Sequence, residues 1–360
     1  MEDQHLYTNV IRVAGFENTL DDHSLFAVFD GHGGDFTSRY AAEHFLEVLS
    51  QQPEMKAYAQ LEKAGPASRS DVTGMQLLRT SLDSVFSQLD AQLREQQQEK
   101  NIAIDNMPPH DPNDESLLAA RGQLTYEHSG STCVVVLLTP SHIIGCNAGD
   151  SRAVLRRAGG ILPLSFDHKP SEVSEKDRIT EAGGYVKARR VDGDLAVSRA
   201  LGDFVYKTND AMPANKQKVI ANPDFVVYPR SEEDEFIILA CDGIWDVATS
   251  KQCADLVQQL TMEGESDLGV ICEEALDTCL KRNSKDNMTI LLVGLPGMKQ
   301  ASSALRLQNA IWGRKATLQA KVFADQAGQQ VPPYAEPPTA ESTSGNNPFT
   351  SHLQHTVAAV

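Results

Sequence analysis

The chain has 360 residues, with 32 basic and 49 acidic side chains and a net charge of −17. That length fits one large or two modest domains, and a hydrophobic share of 41% is enough to build a sizeable core. The acidic balance argues against sequence-independent nucleic-acid binding, which needs Lys and Arg to release counterions, and against an electrostatic grip on anionic membranes.

In chain order, strands are predicted at Leu25–Phe29, Thr132–Leu138, Ile143–Asn147, Ala153–Arg157, Phe225–Tyr228, Phe236–Ala240 and Thr289–Val293. Each is short, apolar or β-branched, and bounded by Gly, Asp or Pro. Helical periodicity marks Asp35–Ser50, Gly74–Gln97, Val173–Ala182, Lys251–Met262 and Asp267–Lys281. The helices come in pairs between groups of strands, which favours an antiparallel α+β layering over a doubly wound parallel sheet. Residues 98–128 are polar, hold Pro108-Pro109, and are expected to form a surface insertion. The patterned region is 1–297. Leu307, Ile311, Leu318 and Val322 predict a helical extension over 298–326, and the Pro-, Ser- and Gly-rich residues 327–360 are expected to be a disordered tail.

No apolar run approaches the roughly 20 residues that span a bilayer, so membrane insertion is not expected. Met1-Glu2-Asp3-Gln4-His5 lacks a basic stretch followed by an apolar one, so no signal peptide is expected. The default location is the cytoplasm, with the nucleus as a second place, and the expected state is a monomer. Six cysteines occur without a CxxC pair, and they read as buried free thiols in a reducing compartment.

The aspartates carry the chemical signal. Asp30 follows an apolar run and opens Asp30-Gly31-His32-Gly33-Gly34. Asp150 and Asp242 each follow a predicted strand, and Asp286 precedes one. Carboxylates converging from strand ends need a cation, and oxygen-only ligands select hard ions such as Mg²⁺ or Mn²⁺. The competing reading is ordinary Asp-Gly hairpin turns. His32, in the same Gly-rich turn, is a candidate general acid. Trp245 reads as a core anchor.

Taken together, the motifs resemble the metal-dependent Ser/Thr protein phosphatases of type 2C (the PPM family). The matching pieces are MEDQH at 1–5, LFAVFDGHGG at 25–34, SGSTCVVV at 129–136, NAGDSRAVL at 147–155 and DHKP at 167–170. They continue through EKDRI at 175–179, LAVSRALGDFVYK at 195–207, ANPD at 221–224, FIILACDGIWDV at 236–247 and SKDNMTILLV at 284–293.

The resemblance implies a sandwich of two antiparallel sheets flanked by helix pairs, with a two-metal site at one end. It implies that Asp30 bridges both ions, that the Gly31 carbonyl binds one of them, and that Asp242 and Asp286 complete the other. Glu2 and Asp3 match acids that hold water around the ions. Asp150, with Asp242, matches a weaker third ion site. His32 matches the proposed general acid, and His5 and Asn287 occupy motif positions nearby. The implied reaction is attack of a metal-activated water on phosphoserine or phosphothreonine of a protein substrate, with no phosphoenzyme. Residues 168–190 match the family's flap beside the site.

One departure stands out. The family pattern carries an Arg four residues before the Glu of Met-Glu-Asp, which contacts the substrate phosphate, and a first strand upstream. Here only Met1 precedes Glu2. Either Met1 is an internal residue of a longer protein, or the short chain is real, with weakened phosphate binding and an unpaired neighbouring strand. The departure also motivates the alternative of an impaired phosphatase that binds phosphoproteins with little turnover. Arg189 or Arg190 is a candidate substitute for that phosphate contact.

Overall fold

The computed structural model describes residues 1–16, 20–61, 72–105, 128–299 and 354–359. Strand β1 (Gln4–Thr8) leads to β2 (Ser24–Phe29) and the short β3 (Gly31–His32). Helices α1 (Phe36–Gln51), α2 (Pro53–Leu61) and α3 (Val72–Asp105) follow. Next come β4 (Gly130–Ser131), β5 (Cys133–Leu138), β6 (His142–Ala148), β7 (Arg152–Arg157) and β8 (Gly160–Pro163). Helix α4 (Val173–Glu181), β9 (Val186–Lys187), β10 (Arg190–Val191) and β11 (Leu201–Gly202) form the segment beside the site. The order continues with β12 (Asp224–Pro229), β13 (Asp234–Ala240), the single turn α5 (Asp242–Trp245), α6 (Ser250–Glu263), α7 (Leu268–Lys281), β14 (Thr289–Gly294) and β15 (Gln354–Ala359).

Two antiparallel five-stranded sheets result, in the orders β1-β2-β5-β6-β12 and β15-β14-β13-β7-β8. The expected α+β sandwich is therefore the observed one. Side-chain alternation explains it. Phe26 and Val28 of β2 face the second sheet and pack with Val134, Val136, Leu155, Ile237, Leu239 and Leu291. The alternate residues Leu25, Ala27 and Phe29 face Phe45, Leu82 and Phe86 of α1 and α3. On the far side, Ile238, Ala240, Ile290 and Leu292 pack against Val257, Ile271 and Leu276 of α6 and α7. Strands buried on both faces must read as continuous apolar runs, as these do.

Register then positions the acids. Gln4 pairs with Phe29, so Asp3 and Asp30 are brought to one end of the first sheet. Ala240 pairs with both Arg152 and Ile290, so Asp150, Asp242 and Asp286 all leave the second sheet at one end. Antiparallel pairing thus brings strand starts and strand ends to one rim.

The segment beside the site has its own small core of Ile179, Val191, Val197, Ala200 and Val219. Buried Glu175 binds it together, accepting from Arg178, Ser198 and Arg199 at 2.7–2.8 Å.

Several features depart from the sequence reading. Helix α3 runs on to Asp105, so the insertion expected from residue 98 starts inside a helix. Gln, Glu and Lys support helix without an apolar stripe, so periodicity ends before the helix does. Gln354–Ala359, inside the expected disordered tail, pairs with β14 as an edge strand. A composition averaged over the whole tail hides a six-residue run containing β-branched Thr356 and Val357. Strands β1 and β8, the two-residue strands and helix α2 were not predicted. The expected helical extension lies outside the described residues beyond Lys299. No helix among the described residues is long and apolar enough to cross a membrane.

Candidate active site

Asp30, Asp150 and Asp242 each contribute a carboxylate oxygen to a cluster whose members lie within 4.8 Å of one another. They line a cleft of about 420 Å³ together with Glu2, Gly31, His32, Thr132, Arg190, Tyr206 and Asp286. Asp286 stands on the exposed rim, outside the tight group of three.

Local structure explains each placement. Asp30 leaves β2, where its backbone N–H donates to Thr132 Oγ1 and its carbonyl accepts from Thr132 N at 2.9 Å. Asp242 starts the α5 turn, whose Trp245 indole donates to the Ala240 carbonyl at 2.7 Å. Trp245 is thus the core anchor the sequence suggested.

Crowded carboxylates resist ionising. Burial raises the pKa of Asp30 to about 10, with Asp242, Asp3, Asp150 and Asp286 adding repulsion. Burial and the neighbouring acids raise Asp242 to about 7. Burial also raises Asp150 and Asp3. An all-oxygen set that repels itself is what a hard cation relieves. A second observation agrees: Asp3 Oδ1 is buried with no hydrogen-bond partner, while Oδ2 accepts from Thr289 Oγ1 at 2.7 Å. These residues fit a divalent metal.

The first residues of the chain are tied into this site. Glu2 N donates to Asn287 Oδ1 at 2.9 Å, and the Glu2 carbonyl accepts from Ser38 Oγ. A Cβ on Gly31 would lie 2.3 Å from the Glu2 carbonyl oxygen, so only glycine lets these strands approach. His5 projects from β1 opposite Val28 and does not line the cleft.

His32 is held by a residue the sequence reading did not single out. Its Nε2 lies 2.8 Å from Asp203 Oδ2, and the Asp203 side chain is 1% exposed. Burial opposes the charged imidazolium, but the Asp203 carboxylate outweighs it, and the His32 pKa is raised. A Cβ on Gly130 would fall 2.2 Å from Asp203 Oδ2 and 2.3 Å from His32 Nε2, so the pair needs that glycine. The available signal was Asp203 within the LAVSRALGDF run, where it takes φ +54°. Lys169 was missed too; its ammonium pairs with Asp150 Oδ2.

Arg190 lines the cleft and donates to the Asp194 carbonyl. Arg189 does not line it. A larger cleft of about 600 Å³ runs past Arg152, Asp167, His168 and Arg199. Its charges are matched, Arg152 with Asp167 and Arg199 with Glu175 and Asp224, so it lacks the unbalanced acids of the first. All six cysteines are buried and free. Burial pushes the Cys133, Cys146 and Cys241 thiols up, and none is placed to serve as a thiolate nucleophile.

The model of the family "Protein phosphatase 2C" matches residues 1–288. The chain belongs to the protein phosphatase 2C family. It is 38% identical over 293 residues to protein phosphatase 1B of Bos taurus, covering 81% of this chain and 53% of that one. It is 37% identical over 303 residues to protein phosphatase 1A of Homo sapiens, covering 84% and 69%. A solved serine-threonine phosphatase 2C from Toxoplasma gondii superposes with a TM-score of 0.61 at 25% identity, covering 81% of this chain and 89% of that one. The chain thus spans about half the length of the bovine relative. The first sheet, the acid-lined rim and the His32 turn lie inside the matched region, whereas β14 and β15 of the second sheet lie beyond residue 288.

Proposed function

We propose that this chain is a metal-dependent protein phosphatase that hydrolyses phosphoserine and phosphothreonine in protein substrates. The observation that carries this reading is the convergence of Asp30, Asp150 and Asp242 within 4.8 Å in a cleft that also holds His32. Family membership supports it. The ions are Mg²⁺ or Mn²⁺, two held firmly and a third more weakly. Asp30, the Gly31 carbonyl, Asp242 and Asp286 would hold the firm pair, and Asp150 with Asp242 would hold the weak one. Glu2, Asp3 and Asn287 brace these groups. When bound, such ions supply ionised water at neutral pH and offset negative charge on the phosphoryl group.

The chain's own residues do the rest. Arg190 gives the cleft a cation for the incoming phosphate, beside acids that alone would repel it. His32, whose imidazolium form the Asp203 carboxylate favours, donates a proton to the departing Ser or Thr oxygen, which is a poor leaving group as an alkoxide. No side chain becomes phosphorylated, consistent with the burial of every cysteine. The alternative of a phosphoprotein-binding module without turnover is not favoured, given the close cluster of Asp30, Asp150 and Asp242 and the family match.

The test is hydrolysis of a phosphothreonine peptide with Mn²⁺ added and then chelated. Turnover should rise with Mn²⁺ and stop on chelation. Asp242→Asn should abolish it. Metal-independent turnover, or a tenth of wild-type activity in that variant at saturating Mn²⁺, overturns the reading.

A further inference from the structure

Asp150 is 2% exposed in its side chain, yet one of its oxygens is already engaged. The partner is the Lys169 ammonium, whose side chain is 36% exposed and reaches in from solvent. The contact is built into the fold. His168 N donates to the Gly149 carbonyl at 2.8 Å, and Gly149 N donates back to His168 Nδ1 at 3.2 Å. His168 Nε2 is in turn 3.1 Å from Asp224 Oδ2. The residue before Lys169 is therefore clamped to the residue before Asp150. Asp167, the other acid on this segment, is taken by Arg152 through two bonds at 2.7 and 2.9 Å. Lys169 is left to face Asp150.

An ammonium and a divalent ion held by one carboxylate repel each other strongly. Asp150 belongs both to this ion pair and to the acid cluster. We propose that Lys169 is an internal counter-cation that occupies Asp150 in place of the most weakly held divalent ion and so sets that ion's affinity. The inference rests on the metal-dependent reading above. The geometry gives Lys169 a route out: its flexible stem carries the ammonium toward solvent when a doubly charged ion arrives. The firm pair shares Asp242 with the weak ion but does not draw on Asp150, so the Lys169–Asp150 contact bears on the weak ion. Lys169 is a positioning residue in this scheme and touches neither substrate nor the reacting atoms.

The experiment is Mn²⁺ titration followed by calorimetry and by electron paramagnetic resonance of free Mn²⁺, on wild type, Lys169→Met, Lys169→Arg and Asp150→Asn. Lys169→Met should tighten the weakest class of sites by about tenfold, the change that an interaction of ordinary ion-pair size produces. Lys169→Arg, which keeps the charge, should stay near wild type. In an Asp150→Asn background, Lys169→Met should change nothing, because the shared side chain has lost its charge. Thermal unfolding supplies a check independent of activity: Lys169→Met should melt lower than wild type in EDTA and recover more on adding Mn²⁺. If the firm sites bind but the weakest class is unchanged or weaker in Lys169→Met, the proposal falls and the metal reading stands. If no Mn²⁺ binds to any variant, both fall.

Discussion

His32 Nε2 and Asp203 Oδ2 lie 2.8 Å apart although 171 positions separate them in sequence. Strand β4 makes the meeting possible, pairing with β3 on one side and β11 on the other. Ser131 sits opposite both Gly31 and Leu201, and Gly130 opposite both His32 and Gly202. A three-stranded patch of two residues per strand thus delivers an acid, an imidazole and the space between them. The carboxylate favours the imidazolium, which is the form a proton donor needs.

His32→Ala should cut turnover of phosphothreonine peptides by about a hundredfold or more, the usual weight of a general acid. Aryl phosphates should lose far less, because a phenolate leaves unprotonated. Asp203→Asn should act through His32. Removing the negative charge lowers the His32 pKa, so the loss of alkyl-ester turnover as pH rises should begin at lower pH than in wild type. Paired pH profiles on an alkyl and an aryl ester check this, and equal losses on both esters would remove the proton-donor role.

Metal and pH should be linked in stability. Asp30 and Asp242 have folded-state pKa values of about 10 and about 7, against an ordinary 3.8. Between those limits the folded chain holds protons that the unfolded chain has lost. Stability then falls as pH rises. In EDTA, the melting temperature should drop between about pH 5 and pH 8 on this account. Saturating Mn²⁺ should cancel the drop, so its stabilising effect should be larger at the higher pH. Differential scanning calorimetry at both values tests it; a metal-free protein that grows more stable with pH over this window would contradict the crowding of the acids.

Much of the site was legible because metal ligands are short acidic side chains beside glycines at strand ends. Asp30, Asp150 and Asp242 announce themselves that way, and register does the rest. Asp203 does not, because its partner lies far away in sequence and neither residue alone demands the other. Lys169 is hidden for the same reason: an exposed-looking lysine gives no sign that His168 clamps it over a buried acid. In the fold, strands buried on both faces were visible as apolar runs. Strand β1 was not, since its residues alternate between half-buried and exposed over only five positions. Strand β15 needed the unpaired edge of β14, which lies in another part of the chain.

Gly130→Ala should separate proton donation from metal binding. The added methyl would overlap both Asp203 Oδ2 and His32 Nε2, so one side chain must move. Neither atom belongs to the acid cluster. Alkyl-ester turnover should fall toward the level of His32→Ala, while Mn²⁺ affinity stays within about twofold of wild type, well under the tenfold that 1.4 kcal/mol would give. A variant with full activity would show that the dyad tolerates displacement; one that loses Mn²⁺ would show that the dyad and the ligands move together.

The outer edge of β14 offers the last prediction. Thr289 to Gly294 pair with Ala359 to Gln354 on one side and, from Ile290 onward, with β13 on the other. Strand β15 also lies against α7. Deleting residues 351–360 removes one ladder and leaves backbone N–H and C=O groups of β14 facing solvent. Each ladder bond lost is worth about 1 kcal/mol net, so the melting temperature should fall by several degrees. Hydrogen exchange should locate the effect: alternate amides of β14 that point toward β15 should lose protection, while those bonded to β13 keep it. Asp286 lies just upstream of this strand, so Mn²⁺ affinity should weaken as well. Adding a synthetic peptide of residues 351–360 to the shortened protein should restore the lost protection. Unchanged exchange in β14 after the deletion would mean that β15 does not hold this edge in solution.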